Sequence, residues 1–255
     1  YFIFFRYYAI KNWWRFAKND SEPEKIEESE RCMDKFRSTF ISKIQEITNK
    51  LKLKDYILMA GKDCSQNTIW RNSNIKNYKA NRNNEDNVKP MFNCAFNEKL
   101  FENANCKTIL EYPNLEADDC IAITTKHILE KYTDVHVYII TSDMDYLQLA
   151  CDRVSLIDLK FKNLTDSKNC FKDAKKDLFC KIVCGDKSDN ISSIFPRCGI
   201  KTASRLYDNP EEFEKKLEAT PHAKELFERN KKIIDFNQIP INLQKKFRDK
   251  YLIAF

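Results

Sequence analysis

At 255 residues, 42% hydrophobic and 32% charged, the chain can bury one sizeable core and a smaller lobe, and no apolar run reaches membrane-spanning length. The formal net charge of +6 favours an anionic partner over a membrane interior. Ten cysteines (32, 64, 94, 106, 120, 151, 170, 180, 184, 198) form no CxxC pair and no metal-finger spacing with the three histidines, so reduced core thiols in an intracellular protein are expected rather than a disulfide framework.

Tyr1 to Phe16 is dense in aromatics but interrupted by Arg6, Lys11 and Arg15, too charged for a signal-peptide core, and is predicted to be a helix with Trp13 and Trp14 in the core. Ser21-Glu22-Pro23-Glu24 has the pattern of a capping box. Behind it Met33, Phe36, Phe40, Ile44, Ile47 and Leu51 recur at three- and four-residue steps, the stripe of a long amphipathic helix. Tyr56 to Ala60 is a short strand running into Gly61-Lys62-Asp63; for Asp63 alone, a plain turn residue is an equally good reading. Trp70-Arg71 and Lys76-Asn77-Tyr78-Lys79-Ala80-Asn81-Arg82 interleave cations with aromatics. The ordinary meaning is a solvated face, and the alternative is phosphate contact by Arg71, Lys79 and Arg82 with base stacking on Tyr78. Residues 83–108 are polar and Asn-rich, and are read as a mobile connection with one short helix around Phe96 to Phe101.

After the short strand Ile109 to Tyr112 comes Leu115-Glu116-Ala117-Asp118-Asp119-Cys120, three carboxylates at the start of a helix. One acid there would answer the helix macrodipole, whereas three in four positions also suit a metal. The helix pattern breaks at Thr133-Asp134, and Val135 to Ile140 is a β-branched strand that ends in Thr141-Ser142-Asp143-Met144-Asp145. Val154 to Leu159 follows as a further strand. The alternation of strand and helix implies a parallel sheet with right-handed crossovers, and such sheets collect ligands beyond the carboxyl ends of their strands. Cys184-Gly185-Asp186-Lys187-Ser188-Asp189-Asn190 supplies a third acidic pair. Three acidic clusters at turns and element ends suggest one site, and an acidic pocket in a basic shell suits a polyanion cut with the help of bound cations.

The chain has only three glycines, Gly61, Gly185 and Gly199, each in a suspected functional turn where close backbone approach or positive φ is expected. After Gly199, Ile200-Lys201-Thr202-Ala203 opens a helix, so 178–207 reads as helix, long turn, helix. Its second helix could hold a phosphate on its N-terminal amides, or the pair could be an ordinary helical hairpin. The tail from Pro210 is helical and charged, with a break at Ile239-Pro240.

Taken together, these motifs resemble the 5′-nuclease superfamily of flap endonucleases and 5′-3′ exonucleases, in its compact phage or viral type. The acidic helix start is matched by Glu116, Asp118 and Asp119, and the strand-end pair by Asp143 and Asp145. The Gly-Asp-x-x-Asp-Asn-Ile signature is matched by Gly185, Asp186, Asp189, Asn190 and Ile191. Tyr78, Lys79, Asn81 and Arg82 match the Tyr-Lys-x-Asn-Arg element, Asp63 the acid preceding the Trp-Arg, and Lys181 a lysine of the phage-type members. The resemblance covers about residues 55–207.

It implies an α/β fold: a mostly parallel central sheet flanked by helices, a PIN-like nuclease core over 1–177, and a helical DNA-binding region with a helix-turn-helix over 178–255. It implies two Mg²⁺ ions, with Mn²⁺ as substitute, held by Asp63, Glu116, Asp118, Asp119, Asp143, Asp145, Asp186 and Asp189. Catalytic cations would be Lys79, Arg82 and Lys181. DNA contacts would come from Arg71, Tyr78, Gly199, Lys201 and Thr202, and a K⁺ ion would sit in the helix-turn-helix, where Cys198 replaces the small residue of many relatives. The implied substrate is DNA with a 5′ end, flap or junction, with RNA of an RNA-DNA hybrid as a further possibility, and the implied state is a monomer acting in replication, repair or recombination. The family carries another ligand Asp ahead of its first helix; since Tyr1 falls in that helix, this Asp is expected to precede it. The rival readings are a PIN-type ribonuclease, which lacks the helix-turn-helix, and a DNA-junction-binding scaffold without full activity.

Overall fold

The computed structural model describes residues 1–75, 77–80 and 87–252, in two compact units. The first comprises Tyr1–Ala60, Asn84–Ile109 and Leu159–Phe161, the second Gly61–Asn83, Leu110–Asp158 and Lys162–Phe255. Among the described residues no helix is long and apolar enough to cross a membrane, and all ten cysteines are free thiols.

In the first unit, α1 (Phe2–Ala17) and α2 (Glu30–Lys50) pack together with α3 (Lys89–Asn97) and α4 (Leu100–Asn103). The stripe expected on α2 is buried: Phe36 and Phe40 are fully enclosed, and Phe40 meets the rings of Phe2 and Phe101 edge-on at 4.8 and 4.9 Å. Each such ring contributes on the order of 1.5–3 kcal/mol by leaving water. Trp14 is buried as expected, and Trp13 is partly so. The capping pattern at Ser21 does not start the helix. Glu22 instead accepts the Asn19 amide, and α2 begins after Ser29, whose hydroxyl accepts the Cys32 amide. The connection expected to be mobile is, over residues 87–108, two helices and a strand. Val88, Met91, Cys94 and Ala95 give α3 a buried face that the many asparagines around it obscured. Strand β1 (Leu58–Gly61) pairs with β2 (Cys106–Leu110).

The second unit carries α5 (Ala117–Lys131) and the parallel pair β3 (Val137–Ile140) and β4 (Val154–Ile157), in register Val137 to Val154 through Ile140 to Ile157. The fold is thus α/β, with its parallel strands in small sheets. Between β3 and β4 a 3-10 helix, Met144–Leu149, is capped by Asp143. Then come α6 (Ala174–Cys184), α7 (Ile200–Asp208), α8 (Pro210–Ala219), α9 (Ala223–Ile234) and α10 (Ile241–Tyr251). Helices α6 and α7 close on Phe195, Ala203 and Leu206, the expected helix, long turn, helix. Pro210 opens α8 at its first turn, and the break at Ile239-Pro240 separates α9 from α10, as Pro at those positions dictates.

Candidate active site

The acidic start of α5 is built by capping. Glu116 is the N-cap, and it exchanges hydrogen bonds with Asp119 as a capping box: the Glu116 amide donates to Asp119 Oδ2 at 3.1 Å. Asp63 reaches the same helix start, where its Oδ1 accepts the Ala117 amide at 2.8 Å. The segment from Lys62 to Trp70 is held there by amides donating to the carbonyls of Leu110, Leu115 and Asn114. Gly61 permits this approach, since a Cβ on it would lie 2.9 Å from the Ala117 carbonyl. Glu116, Asp118 and Asp119 each present an oxygen within 4.8 Å of the others'.

Cations bind these carboxylates closely. Arg71, 2% exposed, donates from Nη1 to Glu116 and Asp119 at 2.8 Å, from Nη2 to Asp119 at 2.7 Å, and from Nε to the Ile233 carbonyl at 2.8 Å. Lys79 donates to Glu116 and lies 3.8 Å from Asp189. The Tyr78 hydroxyl donates to Glu116 at 3.1 Å and lies 3.5 Å from Asp189. Burial, then the charge of Asp118, push Glu116 up to about 7 against the pull of Arg71 and Lys79.

The second and third clusters meet on Lys181, whose ammonium is 2.7 Å from Asp145 and 2.6 Å from Asp186. Burial pushes Asp145 up to about 6, with Lys181 pulling against it. Asp143 accepts the Asp145 amide at 2.9 Å, and Thr141 Oγ1 accepts the Asp143 amide at 3.0 Å, which aims the strand-end pair. Asp186 accepts from the amide and hydroxyl of Ser188 at 2.7 and 2.6 Å. The loop closes where Asp186 and Ile191 exchange backbone hydrogen bonds, and the Lys79 amide donates to the Asp189 carbonyl at 3.1 Å. Two lysines therefore join all three acidic clusters: Lys79 the first to the third, Lys181 the second to the third.

Tyr146, in the 3-10 helix that Asp143 caps, is buried, its phenol pushed far up by burial and then by the charges of Asp118, Asp143, Asp63 and Asp119. Four carboxylates from three segments thus act on one ring. Neither Tyr146 nor Trp70, whose Nε1 donates to Asp119 at 2.9 Å, stands out in the sequence as a site residue. A buried indole usually finds an acceptor, and Trp70 is directly beside Arg71, so that signal was available.

Some expected roles are not met by the geometry. Arg71 and Tyr78 were expected on a nucleic-acid surface, yet both are buried and bonded to carboxylates, so neither side chain is placed to meet a phosphate or a base. Asp119 is fully buried and, like Glu116, accepts protein donors on both oxygens; its own are Arg71, Trp70 and the amide that starts the helix. Arg82 lies outside the described residues. Gly199, Lys201 and Thr202 stand at the start of α7 and, among the described residues, take part in none of these ion pairs. Gly199 has φ −102° and a Cβ there would touch nothing within 4 Å, so the positive φ or close approach expected of it is absent.

Gly185 does require glycine. With φ 69° and ψ −167° it ends α6, and a Cβ would sit 2.5 Å from the Ile191 carbonyl oxygen. G185A is expected to destabilise by at least about 2 kcal/mol, through a Gly-only backbone region and a backbone overlap. G199A should stay within about 0.5 kcal/mol of wild type. Urea denaturation midpoints compare the two, and equal midpoints would contradict the assignment.

An all-oxygen donor set of crowded carboxylates, two of them held well above the usual acid range, fits hard divalent cations. A family model described as the 5′-3′ exonuclease N-terminal, resolvase-like domain matches residues 2–178. DNA polymerase I of Treponema pallidum (strain Nichols) is 36% identical over 112 residues, 39% of this chain and 10% of the polymerase, so the chain spans about a tenth of that relative. A bacteriophage T5 flap endonuclease, solved with DNA and metal ions, superposes with a TM-score of 0.64 at 21% identity, over 92% of this chain and 93% of that one. A T5 5′-exonuclease solved with zinc gives 0.63 at 20% identity, over 94% of each chain. At those identities the likeness is one of fold.

Proposed function

Because the chain belongs to the family of the 5′-3′ exonuclease N-terminal, resolvase-like domain, we propose that it is a structure-specific 5′ nuclease, hydrolysing phosphodiesters of DNA at 5′ ends, flaps or junctions. The observation that carries this reading is the convergence of three sequence-distant acidic clusters through Lys79 and Lys181. Structural acids are usually neutralised one by one; here carboxylates outnumber the cations among them, an arrangement that suits added metal.

Asp63, Glu116, Asp118, Asp143, Asp145, Asp186 and Asp189 would hold two Mg²⁺ ions, with Asp119 supporting them through its grip on Arg71 and the helix start. Bound there, the ions would activate water and stabilise the leaving oxygen. The chain's own part is positioning and charge. Lys79 and Lys181 bring ammonium groups to the carboxylate centre, where they can meet charge developing on the phosphate. Lys201 and Thr202, at the open start of α7, would take a backbone phosphate of the duplex beside the exposed Gly199 backbone. The paired helices α6 and α7 favour a DNA substrate over the single-stranded RNA of a PIN-type ribonuclease, and residues 178–255 would form the DNA-binding region.

Incubation with a labelled 5′-flap DNA tests this directly. Cleavage is expected in Mg²⁺ or Mn²⁺ and is abolished by EDTA. Binding without cleavage at any divalent concentration would leave only the scaffold reading.

A further inference from the structure

Helix α9 lines a recess that the carboxylate centre does not use. Arg229, Lys231 and Lys232, with Asn74, Gln238 and Glu228, surround an open space of about 380 Å³. Three cations face one acid, and among the described residues none of the three forms an ion pair. Lys231 and Lys232 stand in the last turn of α9, where they answer the negative end of the helix dipole. That explanation does not extend to Arg229. Its Nη2 donates to Ser192 Oγ at 2.8 Å and to Asn230 Oδ1 at 2.9 Å, and Nε donates to Asn230 Oδ1 at 3.3 Å. Asn230 is itself fully buried and donates to the carbonyls of Ile182 and Ser192 at 3.0 and 2.8 Å. The guanidinium is therefore fixed to the turn between α6 and α7. Burial pulls it below its usual value, with no carboxylate to offset the cost. A fixed, partly desolvated guanidinium beside two lysines and two side-chain amides is the donor set that phosphate oxygens call for.

We propose that this recess is a second phosphate-binding site, taking one or two backbone phosphates of the nucleic-acid substrate away from the bond that is cut. The proposal rests on the nuclease reading for its ligand, and it adds a grip on the strand separate from the start of α7.

The test is the salt dependence of binding to a labelled 5′-flap DNA in EDTA, across a series of KCl concentrations. In K231A/K232A the slope of log Kd against log salt is expected to fall by about 1 to 2, about one for each phosphate that the lysines no longer neutralise. The control is K245A/K246A on α10, whose two lysines are exposed; it should change the slope by less than half as much. K232E alone, at an exposed position, should act in the same direction as the double variant. Equal slope changes in the α9 and α10 variants would overturn the recess, since general positive charge would then account for both. Slope changes as expected, in a protein that cuts nothing, would overturn the nuclease reading and leave the recess standing.

Discussion

R71A is expected to destabilise the fold by about 3–5 kcal/mol, the cost of removing one partner from a buried ion cluster and leaving the other charges uncompensated. The guanidinium is the counter-charge for both Glu116 and Asp119, which are 3% and 0% exposed, and it also satisfies the Ile233 carbonyl. Burial works against its charge, but Asp119, Asp118, Tyr78 and Glu116 outweigh that and hold it firmly protonated. R71K should recover only part of the loss, because one ammonium cannot span Glu116, both oxygens of Asp119 and a carbonyl. In the double variant R71A/D119N the buried charge disappears with its partner. Its cost should fall short of the sum of the single costs by more than about 1 kcal/mol. Chemical denaturation of the four proteins measures this, and strictly additive losses would mean that Arg71 and Asp119 are not the coupled pair their geometry describes.

How much of this was legible in the sequence depends on which property carried the signal. The acidic clusters were visible because several carboxylates together at element ends have few structural uses, and their order along the chain matched a family. The long stripe of α2 was visible because its period is that of a helix. What could not be read was which charges are enclosed. Arg71 and Tyr78 sit in a polar, cation-rich stretch that reads as surface, and their burial follows from contacts with Glu116 and, for Tyr78, Asp189, which lie 38 to 111 residues away along the chain. Composition misled again over residues 87–108. Asparagines suggested a connection, while the spacing of Val88, Met91, Cys94 and Ala95 already described a packed helix. Gly185 and Gly199 look alike as letters before or after a turn, and only the backbone angles separate the indispensable one from the replaceable one.

D143N should give the opposite result to R71A, an activity lost with the fold intact. Asp143 is exposed, and among the described residues no cation pairs with it. Among the described residues its side chain caps the 3-10 helix by accepting the Asp145 amide, which an asparagine oxygen does equally well. The melting temperature should therefore stay within about 2 °C of wild type, the shift expected for well under 1 kcal/mol in a chain of this size. The substitution nevertheless removes one full negative charge from a centre that also contains Asp63, Asp118, Asp119 and Asp145. Single-turnover cleavage of a 5′-flap DNA in saturating Mg²⁺ should drop on the order of 10²- to 10³-fold, the scale of losing one preorganised electrostatic partner. Binding of the same DNA in EDTA should be unchanged or tighter, because the acidic centre repels phosphate less once a charge is gone. A D143N protein that cuts at the wild-type rate would remove Asp143 from the metal-holding set. One that cuts slowly only because it binds weakly would shift its role from the chemistry to recognition of the strand.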